Sequence, residues 1–165
     1  MRNSSGRIKI SNRFFKITLL LSGFILIAIQ FISPARNTSS LISETDISKT
    51  IYIPDTVTVI LKTACYDCHS NNTNYPWYAN FQPVGCLLSN HIKSAKAQLN
   101  FSEFGTYSDR RKTSKLDGIA NSIKDNIMPL KSYKLMHKEA RLTDKEKNIL
   151  IQWSEQTRDS ISKQN

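Results

Sequence analysis

The sequence has little glycine, proline, cysteine or histidine among its 165 residues. Five glycines and five prolines exclude a collagenous or Pro/Gly-rich low-complexity chain. Three cysteines are too few for a small fold held together by disulfides, and the odd number leaves at least one unpaired. Hydrophobic residues make up 39% of the chain, which is enough for one core. We therefore expect one ordinary globular domain.

Acidic residues are missing from the first 16 positions, which hold five basic residues: Arg2, Arg7, Lys9, Arg13 and Lys16. The whole chain has 23 Lys and Arg against 13 Asp and Glu, a formal charge of +10. Half of this excess belongs to the N-terminal cluster, since the rest of the chain has 18 basic and 13 acidic residues. The charge distribution therefore does not favour a nucleic-acid partner.

An apolar run at 17–32 follows the basic segment 1–16. This order is typical of an export signal or a single membrane anchor. By the positive-inside rule the basic segment stays in the cytoplasm and the chain after Ile32 is exported. The segment Ser33-Pro34-Ala35 is a poor cleavage site, so we favour an uncleaved inner-membrane anchor over a cleaved signal, with the C-terminal domain in the periplasm.

Residues 33–50 include eight Ser or Thr without sustained periodicity, a composition that predicts a flexible tether of up to about 60 Å. The exported domain is expected at 51–160. Apolar residues recur there at helical spacing, and strand-like alternation is absent. The spacing predicts an all-α domain with helices at about 55–65, 83–99 and 108–126 and from 142 onward.

Cys65, Cys68 and His69 form the sequence C-x-x-C-H, the attachment sequence for c-type haem. Two thiols at this spacing can each form a thioether to a vinyl group of one porphyrin, and the adjacent imidazole then lies beneath the iron. This attachment takes place outside the bacterial cytoplasm, so the motif and the export signal support each other. We predict one covalent haem c, with Cys65 and Cys68 as thioether donors and His69 as the proximal ligand.

Other interpretations of the two cysteines are weaker. A structural zinc site needs a second ligand pair, and only Cys86 and His91 follow, as C-x4-H. A thioredoxin-like redox pair needs a βαβ context that the pattern does not show. A plain Cys65–Cys68 disulfide would close a very tight loop and leave His69 unexplained. Cys86 itself is interpreted as a small core residue, with an intermolecular disulfide as the alternative.

The sixth iron ligand is predicted to be Met128, which lies 59 residues after His69 and directly before Pro129. The proline ends a helix and holds the preceding residue extended, so the loop can present a thioether. Met136 is not followed by a proline, so no comparable loop is predicted there. His137 and His91 remain alternative ligands, and an open sixth position ranks last. His91 falls on the apolar stripe of the helix predicted at about 83–99, where a histidine is more often a core residue; the stripe consists of Val84, Leu87, Leu88, His91, Ile92, Ala95 and Leu99.

The helix order is similar to that of small c-type cytochromes, in which the first and last helices pack together at the haem. The chain resembles more closely the bacterial family of short, membrane-anchored haem-binding domains, over about 51–157. The resembling segments are ACYDCHSN at 64–71, YPWY at 75–78, NFSEF at 100–104, MPLKSY at 128–133 and HKEARLT at 137–143. The resemblance implies haem binding but names no partner, and Cys86 departs from the bulkier apolar residue usual there.

Three functions follow as hypotheses. The first is a periplasmic electron carrier with His/Met ligation, because a six-coordinate iron passes electrons but does not readily bind substrate. The second is a haem enzyme or sensor of the peroxidase-like or gas-binding kind, which needs an open sixth site and distal acid–base groups. The third is a zinc or interaction module. For a carrier, an acidic redox partner could dock on basic residues, for which the candidates are Lys93, Lys96, Arg110, Arg111, Lys112 and Lys115. From the sequence alone, an ordinary solvated face is the preferred interpretation of these charges.

Overall fold

The computed structural model describes residues 12–39 and 41–163, and these residues form helices, turns and loops without a strand. The helices are α1 Asn12–Ala28, α2 Ile47–Thr50, α3 Asp55–Ala64, α4 Tyr66–His69, α5 Val84–Gln98, α6 Asp109–Lys124, α7 Lys131–Met136 and α8 Asp144–Lys163. Short 3-10 turns cover Ile29–Phe31, Trp77–Asn80, Phe101–Thr106 and Lys138–Ala140. The all-α prediction is confirmed.

Helix α1 and the turn after it form one apolar segment, Asn12–Phe31, of 20 residues with mean hydropathy 2.0 and no buried residue. Its length and composition suffice to cross a membrane. The predicted basic segment 1–16 falls mostly on residues 1–11, which lie outside the described residues.

The four predicted helices of the domain are found as α3, α5, α6 and α8, each within about two residues of the expected ends. Helix α8 begins with a capping box: the Glu146 carboxylate accepts from the Thr143 amide at 2.8 Å, and the Thr143 hydroxyl accepts from the Glu146 amide at 3.3 Å. These reciprocal bonds satisfy two amides that the first helical turn leaves without partners.

Helices α3, α6 and α8 pack together around the core, and the first and last helices of the domain are in contact as the sequence suggested. The fully buried side chains at this centre include Val57, Leu61, Phe101, Phe104, Leu116 and Leu150. Burial of such side chains, at about 1.5–3 kcal/mol each, supplies most of the driving force for folding. This packing fixes α3, whose C-terminal end carries the cysteine motif.

The segment 33–50 differs from the predicted flexible tether. Ile47 is fully buried in the core. The Asn37 side-chain amide donates to the Ser70 carbonyl at 2.8 Å and to the Thr73 hydroxyl at 2.9 Å. Ser, Thr and Asn are common in flexible linkers, but their side chains also form hydrogen bonds to backbone groups. Composition alone therefore does not distinguish a flexible linker from a segment that packs on the domain. The described part of this segment is thus packed on the domain.

Candidate functional site

The cysteine motif occupies one helical turn at the end of α3. The amides of Cys68 and His69 both donate to the Cys65 carbonyl, at 3.2 and 3.0 Å. Residues three and four apart in a helix lie on the same face, so the turn sets Cys65, Cys68 and His69 side by side. None of the three cysteines is paired with another in the structure.

The ring of His69 is held by a distant backbone group. Its Nδ1 lies 3.0 Å from the Leu99 carbonyl oxygen, at the end of α5. A carbonyl only accepts hydrogen bonds, so Nδ1 carries the proton and Nε2 keeps its lone pair. Fixing one ring nitrogen in this way is how proteins orient an imidazole that binds metal through the other.

The pKa values of the two motif thiols are raised well above that of an ordinary cysteine. Burial, and then the charge of Cys68, raise the pKa of Cys65 to about 12. Burial, and then the Asp67 carboxylate, raise the pKa of Cys68 to about 11. Both side chains therefore remain thiols at neutral pH, which makes them poor nucleophiles toward a disulfide-forming partner.

A cavity of about 310 Å³ opens beside the motif and contains Cys65, His69 and Met128 in its wall. The rest of its wall comes from the end of α5, the start of the Phe101–Thr106 turn and one face of α6: Gln98, Leu99, Phe101, Ser114, Lys115, Gly118, Ile119, Ser122 and Ile123. A Cβ added at Gly118 would meet no atom within 4 Å, so this side of α6 leaves open space. The cavity brings the predicted proximal and distal residues to one place.

The chain reaches Met128 through a left-handed turn. Asn126 follows α6 with a φ of 55°, a conformation that asparagine tolerates better than most residues and that commonly ends helices. The amides of Ile127 and Met128 then both donate to the Ser122 carbonyl, at 3.0 and 3.2 Å. These bonds place Met128, which packs against the core, in the cavity wall.

A network of hydrogen bonds and stacked rings joins α7 to the motif, and no pattern in the sequence predicted it. The Tyr133 hydroxyl donates to the Asp67 carboxylate at 2.8 Å, and the Tyr133 ring stacks on His137 with centroids 4.2 Å apart. Burial, and then the bond to Asp67, raise the pKa of Tyr133. His137 Nε2 lies 2.8 Å from the Tyr78 hydroxyl. The segments YPWY and MPLKSY, singled out above for resemblance, contain both tyrosines, but their spacing did not predict a contact.

We expect Tyr133→Phe to lower the free energy of unfolding by about 1–3 kcal/mol, because the Asp67 carboxylate loses a donor in a partly buried site. Thermal or urea unfolding measures this change. Tyr52→Phe is the matched control, since that side chain is 85% exposed and should unfold like the parent. Equal stability of the Tyr133 and Tyr52 variants would contradict the assigned role of the bond.

Cys68, His91, His137 and Cys86 do not line the cavity with His69, although Cys68 shares the helical turn of Cys65 and His69. Among residues 12–39 and 41–163, no group of three or more His, Cys, Asp or Glu side chains is arranged to hold a metal ion. The zinc interpretation required Cys86 and His91 to join the motif cysteines. Within the described chain this ligand set is not assembled.

A pH dependence follows from the burial of His69, which lowers its pKa below 6.5 although the Leu99 carbonyl acts in the opposite direction. In the unfolded chain the imidazole keeps a pKa of about 6.5. As pH falls through that value, the unfolded state therefore takes up the proton first. The stability supported by neutral His69 is present above pH 6.5 and is lost as pH falls toward the lower folded-state pKa.

Thermal unfolding of the polypeptide produced without haem-attachment machinery, between pH 7.5 and 5.5, measures this loss. We expect a smaller loss in His69→Gln, which removes the titrating group. An identical pH dependence in both proteins would show that other groups determine it.

The donor set fits a covalently held haem. Two thiols and an imidazole with Nε2 available lie on one helical turn, and a thioether lies in the wall of the same cavity as the imidazole. Comparison with known proteins agrees with this chemistry: a family model described as a haem-binding domain matches residues 24–156. Searches of the curated proteins and of the solved structures give no match.

Proposed function

This chain belongs to the haem-binding domain family, and from that premise we propose that it is a membrane-anchored periplasmic electron carrier with one covalent haem c. The observation that carries the proposal is the position of His69. Its Nδ1 is fixed on the Leu99 carbonyl, and the cavity beside it contains Met128. This pairing supports His/Met ligation over ligation by His137 or His91, neither of which lines that cavity.

Each residue of the site has a role in this proposal. Cys65 and Cys68 would hold the haem through thioethers, His69 would be the proximal ligand and Met128 the distal one. The bound haem supplies one-electron redox chemistry at its iron. The protein keeps Nε2 of His69 aimed away from Leu99 and limits water at the site with apolar wall residues such as Ile119. Lys115 in the same wall contributes a positive charge for acidic groups.

An acidic redox partner remains part of the proposal, and the structure suggests where it would bind. Three of the basic residues suggested for docking have internal contacts: Lys96 bonds to Asn37, Lys112 to Asp109, and Arg111 lies over the Tyr107 ring. A second cavity, of about 380 Å³, contains Met128 in its wall and four basic residues: Lys131, Lys134, Arg141 and Lys147. Arg141 bonds to the Lys134 carbonyl and Lys147 pairs with Asp144, so Lys131 and Lys134 are the stronger candidates for docking. Positive charge this close to the distal ligand favours docking of an acidic surface there.

Coexpression of the full chain with a bacterial haem-attachment system tests the proposal. We expect haem to remain with the polypeptide on a denaturing gel and the native protein to give a low-spin spectrum that carbon monoxide hardly changes. Haem that washes off under denaturing conditions would exclude covalent attachment. A high-spin spectrum with ready carbon monoxide binding would replace the carrier by the enzyme or sensor hypothesis.

A further inference from the structure

An apolar surface of the domain lies beside the end of the membrane helix. Four large side chains on the Trp77–Asn80 turn and the start of α5 are exposed to water: Trp77 by 71%, Phe81 by 58%, Val84 by 42% and Leu87 by 56%. We call these four residues the apolar patch. The spacing of Val84 and Leu87 predicted a core-facing stripe of this helix, but in the structure only the later part of the stripe, such as Ile92, is buried.

The patch is continuous because α5 and the turn before it pack closely. A Cβ at Gly85 would overlap the Ala79 carbonyl oxygen, so only glycine lets the turn lie directly on the helix. The ring centroids of Trp77 and Phe81 are 6.0 Å apart in an edge-on arrangement. Contiguous exposed apolar side chains of this kind mark a surface that binds something.

Hydrogen bonds join this region to the end of the membrane segment. The Gln30 side chain both donates to the Gln82 carbonyl and accepts from the Gln82 amide, each at 3.0 Å. Six residues further along, Arg36 bonds to Asn80, and its guanidinium lies 4.7 Å above the Tyr75 ring. Gln82 lies between Phe81 and Val84 in the sequence, so the patch begins where the apolar helix ends.

Charge also distinguishes this region from the rest of the domain. No Asp, Glu, Lys or Arg occurs between Asp67 and Lys93, a stretch of 25 residues, although 22% of the chain is charged. Moving a charged side chain into the apolar edge of a bilayer is costly, whereas tryptophan and other amphipathic aromatics are enriched there. The composition therefore matches the lipid–water interface.

We propose that the apolar patch lies in the interfacial layer of the bilayer that α1 crosses, so that lipid covers Trp77, Phe81, Val84 and Leu87. The domain is then a surface-bound unit rather than one held away from the membrane by a free tether. The proposal rests on α1 as a membrane anchor and does not depend on haem ligation. The bonds of Gln30 and Arg36 hold the patch at the level of the membrane surface, and the apolar side chains add affinity for lipid.

The test uses the full chain in vesicles of phosphatidylcholine that carries a diazirine near the glycerol end of one acyl chain. After illumination, mass spectrometry locates the lipid adducts. We expect adducts on 77–87 as well as on α1. Tyr52 and Val59 are the internal comparison, because they are 85% and 64% exposed and lie just before and on α3, which packs on α8, and we expect them to stay nearly unlabelled.

Two matched variants test whether the patch side chains themselves cause the labelling. In Trp77→Ser/Phe81→Ser/Leu87→Ser, adducts on the unaltered residues 78–80 and 82–86 should fall several-fold, whereas Tyr52→Ser/Val59→Ser should label like the parent. Both variants change exposed side chains, and unchanged unfolding temperatures verify that each is folded. Adducts confined to α1, or equal labelling of both surfaces, would overturn the proposal.

Discussion

Replacing both Cys65 and Cys68 by alanine is expected to abolish all haem that survives denaturation. Without the two thiols no thioether can form, whatever non-covalent affinity the cavity keeps. Each single replacement leaves one possible thioether and should give a reduced signal. Haem staining of denaturing gels, normalised to the amount of polypeptide, measures the effect.

Cys86→Ala is the matched control for these variants. Cys86 is a half-buried cysteine on α5, away from the helical turn that carries Cys65, Cys68 and His69, so its replacement should leave covalent haem unchanged. Haem that resists denaturation in the double variant would contradict the assigned attachment. Loss of signal in Cys86→Ala would show that the third thiol takes part, which the structure does not suggest.

Met128→Ala is expected to convert a low-spin, six-coordinate spectrum into a high-spin one. The substitution removes the thioether from the wall that contains His69 and leaves no other sulfur there, because Cys65 would be bound to the porphyrin. We expect the reduction potential to fall by a sizeable share of the roughly 0.8 V that axial ligands span. Absorption spectroscopy and a redox titration measure both changes.

Met136→Ala separates loss of ligation from loss of a methionine in general, because Met136 lies on α7 and is 52% exposed. Its spectrum should equal that of the parent. His137→Ala tests the main alternative ligand. If His137→Ala, rather than Met128→Ala, produced the high-spin spectrum, the distal assignment would be wrong. Haem retention on the gel should persist in all three variants, since the thioethers are untouched.

The helices could be predicted because their signals are local. The apolar spacing of Leu116, Ala120 and Ile123 places all three in the core, as the structure confirms. The Thr143–Glu146 capping box spans only four residues, and both of its hydrogen bonds form in the structure. The prediction that Val84 and Leu87 face the core was wrong. Helical periodicity identifies an apolar face of a helix, but it does not show whether other residues of the protein cover that face.

The second difference between prediction and structure concerns the segment 33–50, which was expected to be a flexible tether. Residues 33–50 have the composition of a linker, yet Asn37 and Ile47 bind the domain across distances in sequence that no local pattern reports. The Gln30–Gln82 hydrogen bonds hold the Trp77–Leu87 region next to the end of α1, and the proposed contact with lipid depends on this arrangement.

The sequence by itself determined the cofactor class, the family and the helical architecture, because C-x-x-C-H, the apolar run and the capping box are formed by residues within a few positions of one another. Only the tertiary structure decided how the site is assembled. Leu99 meets His69, Tyr133 meets Asp67 and Gln30 meets Gln82 across 30, 66 and 52 positions. Such contacts depend on how helices pack in three dimensions, and for that reason the orientation of the imidazole and the position of the apolar patch could not be predicted from the sequence.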